Sequence, residues 1–441
     1  MKKFIFIFFA IILLIFYCAS VWASEVKFSG SYYAAGIYLD KTTFKKDVTD
    51  AGPSTSFYYQ RLRLRADFIA AAGLTLITRF DALERIWGAP RSAGSGLPDT
   101  LSPSAGTRAE NENIAFDWVY LSYASALGTF NIGYQNDGAW GTAFGDTSRP
   151  NPKISWILTT GSWMFLAQII KVAENGYTAN NPATATDLDY DKYVAAFSYY
   201  WKGGEAGILG FVSRNAVNRQ GAIPPASKQL FYGLLPYFIA QIGPAKIQAE
   251  LDYYWGEYPA YESGGDIKLN NLAGFLDVAA DYGIFYAGAT IAYVAGDKSG
   301  TISKMEGGLA TGGRDWEPCL ILWNQERTYW AGAIAGYDGT ANEGPMTNGW
   351  FFQARGGARP VAALDIMASL SYAKADQLPA YVSEKEYGWE IDVTATYKIT
   401  NNLSYMLGVG YLFTGDYYKG NNAENKIADN YIVINKLTLT F

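Results

Sequence analysis

The 441-residue chain contains no histidine, two cysteines and few charges: Asp, Glu, Lys and Arg together make up 17% of it, against about a quarter in an ordinary soluble protein. Each scarcity excludes something. Without histidine the chain lacks the commonest general base, the commonest metal ligand and the third member of most hydrolase triads, which sets it against catalysis. Cys18 lies in an N-terminal apolar run and Cys319 stands alone in the remainder, so an exported protein cut after that run has no intramolecular disulfide. Long apolar stretches are scarce too. Beyond residue 23 nothing approaches the roughly 20 consecutive apolar residues that a membrane helix needs. What the chain has instead is aromatic residues, 16% of the total, a mixture that points toward lipid without transmembrane helices.

The one long apolar run, Phe4 to Val21, follows Lys2 and Lys3 and leads into Val21-Trp22-Ala23, with small residues at the two positions a signal peptidase reads. Residues 1–23 are therefore expected to be a secretory signal, leaving 24–441 as the exported protein.

The rest alternates with a period of two. In the stretch 57–69, Tyr58, Gln60, Leu62, Leu64, Ala66 and Phe68 share one face, while Tyr59, Arg61, Arg63, Arg65 and Asp67 share the other, because successive side chains of a strand point to opposite sides. Ile391, Val393, Ala395 and Tyr397 alternate with Glu390, Asp392, Thr394 and Thr396, and after the turn 400–402 Leu403, Tyr405, Leu407, Val409, Tyr411 and Phe413 continue the pattern. The last segment sets Tyr431, Val433, Asn435, Leu437, Leu439 and Phe441 against Lys436, Thr438 and Thr440. Such segments have the length of a tilted strand crossing an outer membrane, apolar toward lipid and polar toward water. Two stretches, 163–172 and 229–241, are apolar on both faces, and their register stays open.

Connection lengths give an independent reading. Short turns fall near 71–73, 126–128, 160–162, 202–205, 242–244, 282–283, 358–361 and 399–402; long loops fall near 40–55, 88–112, 138–152, 174–189, 215–227, 258–268, 297–346, 376–385 and 416–428. Strict alternation of short periplasmic turns with long extracellular loops is the rule for bacterial barrels. Eight turns and nine loops make eighteen strands, an even number that places both ends on the periplasmic side. The expected fold class is all-β: a transmembrane antiparallel β-barrel over 24–441, with eighteen strands and sixteen as the alternative. Lipid leaves no amide unpaired, so the first strand must pair with the last. A ring of this size encloses an aqueous space unless loops fold inward.

The expected pore lining consists of Arg61, Arg63, Arg65, Asp67, Arg79, Asp81, Glu250, Asp252, Asp277, Arg355, Glu390 and Asp392, as an electrostatic wall that selects solutes; the alternative is that these charges only pair across strands and keep the wall wet. Asp187, Asp189 and Asp191 have the spacing that opens a calcium loop, but Lys192 and Ser198 occupy the positions that need Gly and Glu, so an exposed acidic loop is expected and no metal. Loop 297–346, with Trp316, Cys319 to Trp323 and Trp330, is too apolar to sit freely in water and is expected to fold as a partial lid or an extracellular hairpin. Tyr32, Tyr33, Tyr199, Tyr200, Trp201, Tyr253, Tyr254, Trp255, Tyr417 and Tyr418 are expected in the interfacial girdles, with a sugar-stacking slide as the alternative.

Three patterns resemble known families. Tyr431, Val433, Leu437, Leu439 and the terminal Phe441 resemble the outer-membrane insertion signal, which implies the barrel-assembly machinery as a partner. Tyr387-Gly388-Trp389-Glu390-Ile391-Asp392-Val393, continuing through Tyr411 to Gly415-Asp416-Tyr417, resembles the closing hairpin of alginate-export-type outer-membrane proteins, which are eighteen-stranded barrels. Leu127 to Gln135 with Trp140-Gly141-Thr142 is similar to the strand leading into the third loop of general porins. The expected function is passive diffusion of small hydrophilic solutes or ions through the outer membrane of a Gram-negative bacterium. The alternative is a dedicated conduit for polysaccharide export or the outer-membrane part of a secretion complex. Outer-membrane lipids and small hydrophilic solutes are the expected partners and a homotrimer is the candidate assembly, with neither cofactor nor nucleic acid. An outer-membrane protease or phospholipase is disfavoured for want of histidine, and residues 24–55 leave no room for the plug domain of a TonB-type receptor.

Overall fold

A computed structural model describes residues 25–46, 52–88, 114–175, 188–219, 226–261 and 264–441; the expected signal segment and Asp187 lie outside them. Among the described residues eighteen long strands form one antiparallel sheet: β1 (Glu25–Leu39), β2 (Thr55–Ala71), β3 (Leu74–Ile86), β4 (Ile114–Ser125), β5 (Gly128–Asp137), β6 (Arg149–Thr160), β7 (Trp163–Ala173), β8 (Tyr190–Trp201), β9 (Gly204–Asn215), β10 (Ser227–Ile242), β11 (Ala245–Tyr261), β12 (Lys268–Asp281), β13 (Phe285–Val294), β14 (Gly349–Val361), β15 (Leu364–Ala375), β16 (Glu386–Lys398), β17 (Leu403–Thr414) and β18 (Asn430–Thr440). Each pairs with its chain neighbours, and β1 pairs with β18 from Ser31↔Thr440 to Leu39↔Ile432. Gly30 and Phe441 complete the seam with reciprocal backbone hydrogen bonds of 2.7 and 3.0 Å. Closure leaves no strand edge in the hydrocarbon layer, the condition that lipid imposes.

Period two holds along most of the outer face and is shifted at register irregularities in β3 and β4, where Phe116 and Val119 are both exposed. Phe28, Ile132, Ile154, Ile169, Tyr193, Leu251, Ile291, Leu370, Val393, Leu407 and Phe413 all point outward and are exposed, forming the apolar belt that a barrel needs against acyl chains. Tyr431, Leu439 and Phe441 lie on this face. Three boundaries move from where the sequence puts them. β14 runs through a register irregularity after Ala358 to Val361, so its turn is Ala362–Ala363 and not 358–361. β11 extends to Tyr261 inside the expected loop 258–268, and β6 begins at Arg149 inside the expected loop 138–152.

The inner face departs furthest from expectation. Two connections turn into the lumen. The β5–β6 loop, 138–148, packs Trp140 against Leu166, Val172, Leu235 and the buried Ile170, Val194 and Leu209, which explains why β7 and β10 are apolar on both sides: one side meets lipid and the other meets this loop. The β13–β14 connection, 295–348, brings Trp316, Cys319, Ile321, Leu322, Trp323, Ile334 and Met346 into a buried cluster with Tyr59, Phe144, Phe351, Tyr387 and Tyr418. Helix α1 (Gln325–Ala331) lies within it, started by Asn324, whose side chain accepts from the Arg327 N–H at 2.6 Å, and carrying Glu326 in its first turn, both favourable at a helix N-terminus. Tyr33, Tyr254, Tyr417 and Tyr418 are accordingly not girdle residues. Tyr33, Tyr417 and Tyr418 are buried and Tyr254 is half-buried against the interior cluster, whereas Tyr199, Tyr200, Trp201 and Trp255 are exposed.

The face assignment has a direct test. Leu407→Arg on the outer face of β17 is expected to cost about 2–4 kcal/mol in folding equilibria in lipid, and Thr396→Arg on the lumen face of β16 less than about 1 kcal/mol. Equal costs would remove the assignment.

Candidate functional site

The arginine wall assembles where β2 and β3 lie side by side. Arg63 sits opposite Asp81 in the strand register, and its guanidinium grips that carboxylate with two 2.7 Å bonds while reaching Asp117 of β4 at 3.3 Å. Arg79 faces Arg65 across the pair, a like-charge contact that costs stability unless each finds an anion. Both do: Arg79 reaches Asp117 at 2.8 Å and lies over the Trp118 ring at 3.5 Å, and Arg65 holds Asp67 at 2.7 and 2.9 Å. Arg61 pairs with Glu84 at 3.4 Å and lies 5.1 Å from the centre of the Tyr33 ring, which Lys436 of β18 also approaches, at 4.4 Å. The charges therefore pair across strands and still line water.

An opening of about 710 Å³ remains between this wall and the inward loops. Arg61 and Arg63 of β2 and Arg79, Asp81 and Glu84 of β3 border it, together with Asp117, Trp118, Arg149 and Lys436 from other strands and Arg314, Asp315, Glu317, Glu326, Tyr329 and Trp330 from the long inward loop. Six basic and six acidic side chains thus face one another across it. Lys436 anchors Glu326 at 2.7 and 2.8 Å, which fixes α1 against β18. Burial raises the Glu317 carboxyl above its ordinary value. Arg65 and Asp67 lie closer to the short-turn end and outside this opening. Arg355 is spent on Asp277, with bonds of 2.7 and 2.9 Å; it lies over Gly288, where a Cβ would come 2.9 Å from the guanidinium carbon.

Four of the expected lining residues do something else. Glu390 and Asp392 are 0% and 3% exposed, because the long loop covers them. The backbone N–H groups of Ile321 and Leu322 donate to the two oxygens of Glu390 at 2.6 and 2.7 Å. Glu250 does the same for the other inward loop, accepting from the Thr142 N–H at 2.7 Å and the Thr142 hydroxyl at 2.6 Å. Beside it, Asp252 is 1% exposed and lies against Gly145, whose φ of 76° and missing side chain let the loop backbone approach; a Cβ there would fall 2.4 Å from a carboxylate oxygen. Both clamps have the form Glu-x-Asp on the lumen face, Glu250-Leu251-Asp252 and Glu390-Ile391-Asp392. Neither has a basic residue opposite it: Glu390 faces Ser371 and Leu412, and Glu250 faces Tyr237 and Phe275. That absence, together with the Glu-x-Asp pairing of two acids on one face, is the sequence signal that marks these two clamps. The loops also join each other. Gly145 N–H donates to Gly312 at 3.0 Å, Asp315 N–H to Asp146 at 3.0 Å, and Ser148 N–H to the Asp315 carboxylate at 2.9 Å. At this junction burial pushes the Asp146 carboxyl up to about 8, against the opposing Trp140 N–H.

The acidic spacing at 189–191 wraps a lysine, not a cation site: Lys171 lies 2.9 Å from Asp189, 2.8 Å from Asp191 and 3.1 Å from Glu174.

No protein-family model matches the chain, and no curated protein matches it in sequence. Solved structures do match in shape. OccK2 (OpdF) of Pseudomonas aeruginosa in complex with glucuronate superposes with a TM-score of 0.51 at 12% identity, over 94% of this chain and 98% of that one. OccK11 (OpdR) of the same organism gives 0.52 at 10% identity, over 94% and 96%. A BenF-like porin from Pseudomonas fluorescens Pf-5 gives 0.50 at 11% identity, over 94% and 99%. None of these three is an alginate-export protein, so the resemblance of the 387–417 hairpin to that family finds no support in them. What the likeness establishes is the fold: this chain is a closed, eighteen-stranded antiparallel β-barrel of the kind these proteins share.

Proposed function

We propose that the protein is an outer-membrane porin of a Gram-negative bacterium, giving small hydrophilic solutes passive passage down their gradients. The observation that carries this reading is the opening between the paired arginine wall and the inward loops, lined by charge of both signs inside a shell that is apolar outside. Its volume, about 710 Å³, is in the range of small-molecule sites. The carboxylated sugar bound by OccK2 is a solute of this scale. Balanced lining charge favours mild selectivity over strong exclusion of either sign. A polysaccharide conduit fits less well, because the loops pinned by Glu250 and Glu390 occupy the lumen that a polymer needs. The expected absence of enzymatic activity, insertion through the barrel-assembly machinery guided by the Phe441 strand, and a homotrimeric assembly belong to the same proposal; the mass of the purified protein in detergent tests the last.

In a planar bilayer the purified protein is expected to give discrete ionic conductance steps; silence from folded protein overturns the porin reading. Replacing Arg61, Arg63 and Arg65 with glutamine leaves their acidic partners uncompensated, so the reversal potential in a salt gradient should move toward cation preference. An unchanged value would mean that the arginines only brace the wall. Glu390→Ala strands two buried N–H groups at about 1–3 kcal/mol each, which should release loop 295–348, raise the single-channel conductance and expose the loop to limited proteolysis. Conductance and protease resistance equal to wild type would show that Glu390 does not hold the loop.

A further inference from the structure

We infer that Cys319, Glu390 and Asp392 form a binding site for a divalent metal ion of Zn²⁺ type, which ties the inward loop to β16. One donor atom from each of the three lies within 4.8 Å of the others. Zinc holds thiolate sulfur at about 2.3 Å and carboxylate oxygen at about 2.0–2.2 Å, which sets donors around one ion at most about 4.5 Å apart, a spacing that small side-chain rotations bring within reach here. All three side chains are buried, Cys319 at 4% exposure.

Asp392 supplies the independent observation that points to a ligand. Its Oδ1 accepts from no N–H or hydroxyl, its Oδ2 has only long contacts with the Leu320 N–H at 3.4 Å and the Ser369 hydroxyl at 3.5 Å, and its one close partner is the neighbouring carboxyl of Glu390, a second acid that a cation would bridge. A buried carboxylate so poorly satisfied is costly, and a bound cation removes the cost. The nearby buried cation does not do so through hydrogen bonds: Arg327 gives its terminal donors to Gly332 O, the Thr328 hydroxyl and Asn342 O. It does complete the charge balance. One thiolate and two carboxylates against a divalent ion leave a single negative charge, which the Arg327 guanidinium offsets.

Room and orientation are present as well. A cavity of about 190 Å³, bordered by Cys319 and Asp392, adjoins the group and can hold water to complete the coordination. Ser371 Oγ, 3.3 Å from the Cys319 sulfur, orients the thiol from the second layer of contacts. On binding, the thiol gives its proton to solvent and the thiolate bonds the ion. The other clamp, Glu250 with Asp252, has no thiol beside it and forms no such three-donor group among the described residues. A chain without histidine has little but thiolate and carboxylate to offer a borderline ion.

The test uses the exported protein, residues 24–441, in which Cys319 is the one thiol, refolded from urea into detergent after chelation, with Cd²⁺ as the probe, and with folding of every variant checked by heat-modifiable migration on a gel. Gel-filtered wild-type protein is expected to carry about one Cd²⁺ per chain and to show the near-ultraviolet absorbance of a cadmium–thiolate bond. Cys319→Ser should abolish that band, and Asp392→Asn should weaken binding by roughly tenfold or more. No Cd²⁺ on folded wild-type protein overturns the proposal. So does equal binding by folded Asp392→Asn, which reduces the result to capture by a single thiol, or equal binding by folded Cys319→Ser, which reduces it to surface carboxylates.

Discussion

An amide N–H removed from water must find an acceptor, and this constraint acts on the molecule twice. In the wall it forces closure: hydrocarbon offers no acceptor, so β1 must meet β18 and Gly30 must meet Phe441. In the lumen it acts on the loops. A loop packed into the barrel turns some of its amides toward the wall, and the wall answers with carboxylates at Glu250 and Glu390. An ionised carboxylate accepts several N–H donors and holds each more strongly than a neutral oxygen does. One physical demand therefore sets both the outline of the barrel and the narrowness of the space inside it.

The arginine wall follows a different logic. Arg61, Arg63, Arg65 and Arg79 are each matched by a carboxylate in reach, so this part of the wall is close to neutral, and its field is one of alternating dipoles. Such pairs on a wetted surface add little to stability. What they do is keep a polar, hydrated lining in place against an interior otherwise dominated by aromatic packing, such as Tyr59 stacked on Trp330 with ring centres 4.5 Å apart. Tyr33, beside Arg61 and Lys436, marks the border between the two regimes.

The barrel was readable in the sequence because lipid and water impose opposite demands on alternate residues. Leu403 to Phe413 and the arginines at 61, 63 and 65 carry that alternation without interruption, and the turn residues between strands set the count of eighteen. The opening was readable only on its wall side. Arg63 and Asp81 are register partners, a relation that period and turn position determine. Glu317 and Glu326 reach the same opening from a loop whose path depends on tertiary packing, which no local pattern records. The interior aromatics misled for a related reason: Tyr418 and Tyr254 have the composition of an interfacial girdle, and only the presence of an inward loop makes a lumen position favourable for them. Apolar character on both faces of β7 and β10 was the visible trace of such a loop, since one face had to be covered by something other than lipid.

The clamps hold main chain. Ile321 and Leu322 present N–H groups to Glu390, and Thr142 presents its N–H to Glu250. Any residue but proline supplies that donor, so the grip of Glu390 is indifferent to which side chains stand at 321 and 322, while the Glu250 clamp asks in addition for the Thr142 hydroxyl and the bare Gly145. Residues such as Arg314 and Tyr329, which border the opening, are free to be exchanged without detaching the segment that presents them. A lineage can thus retune what passes while inheriting the scaffold unchanged: the architecture divides heritable support from variable selectivity at the level of the peptide bond.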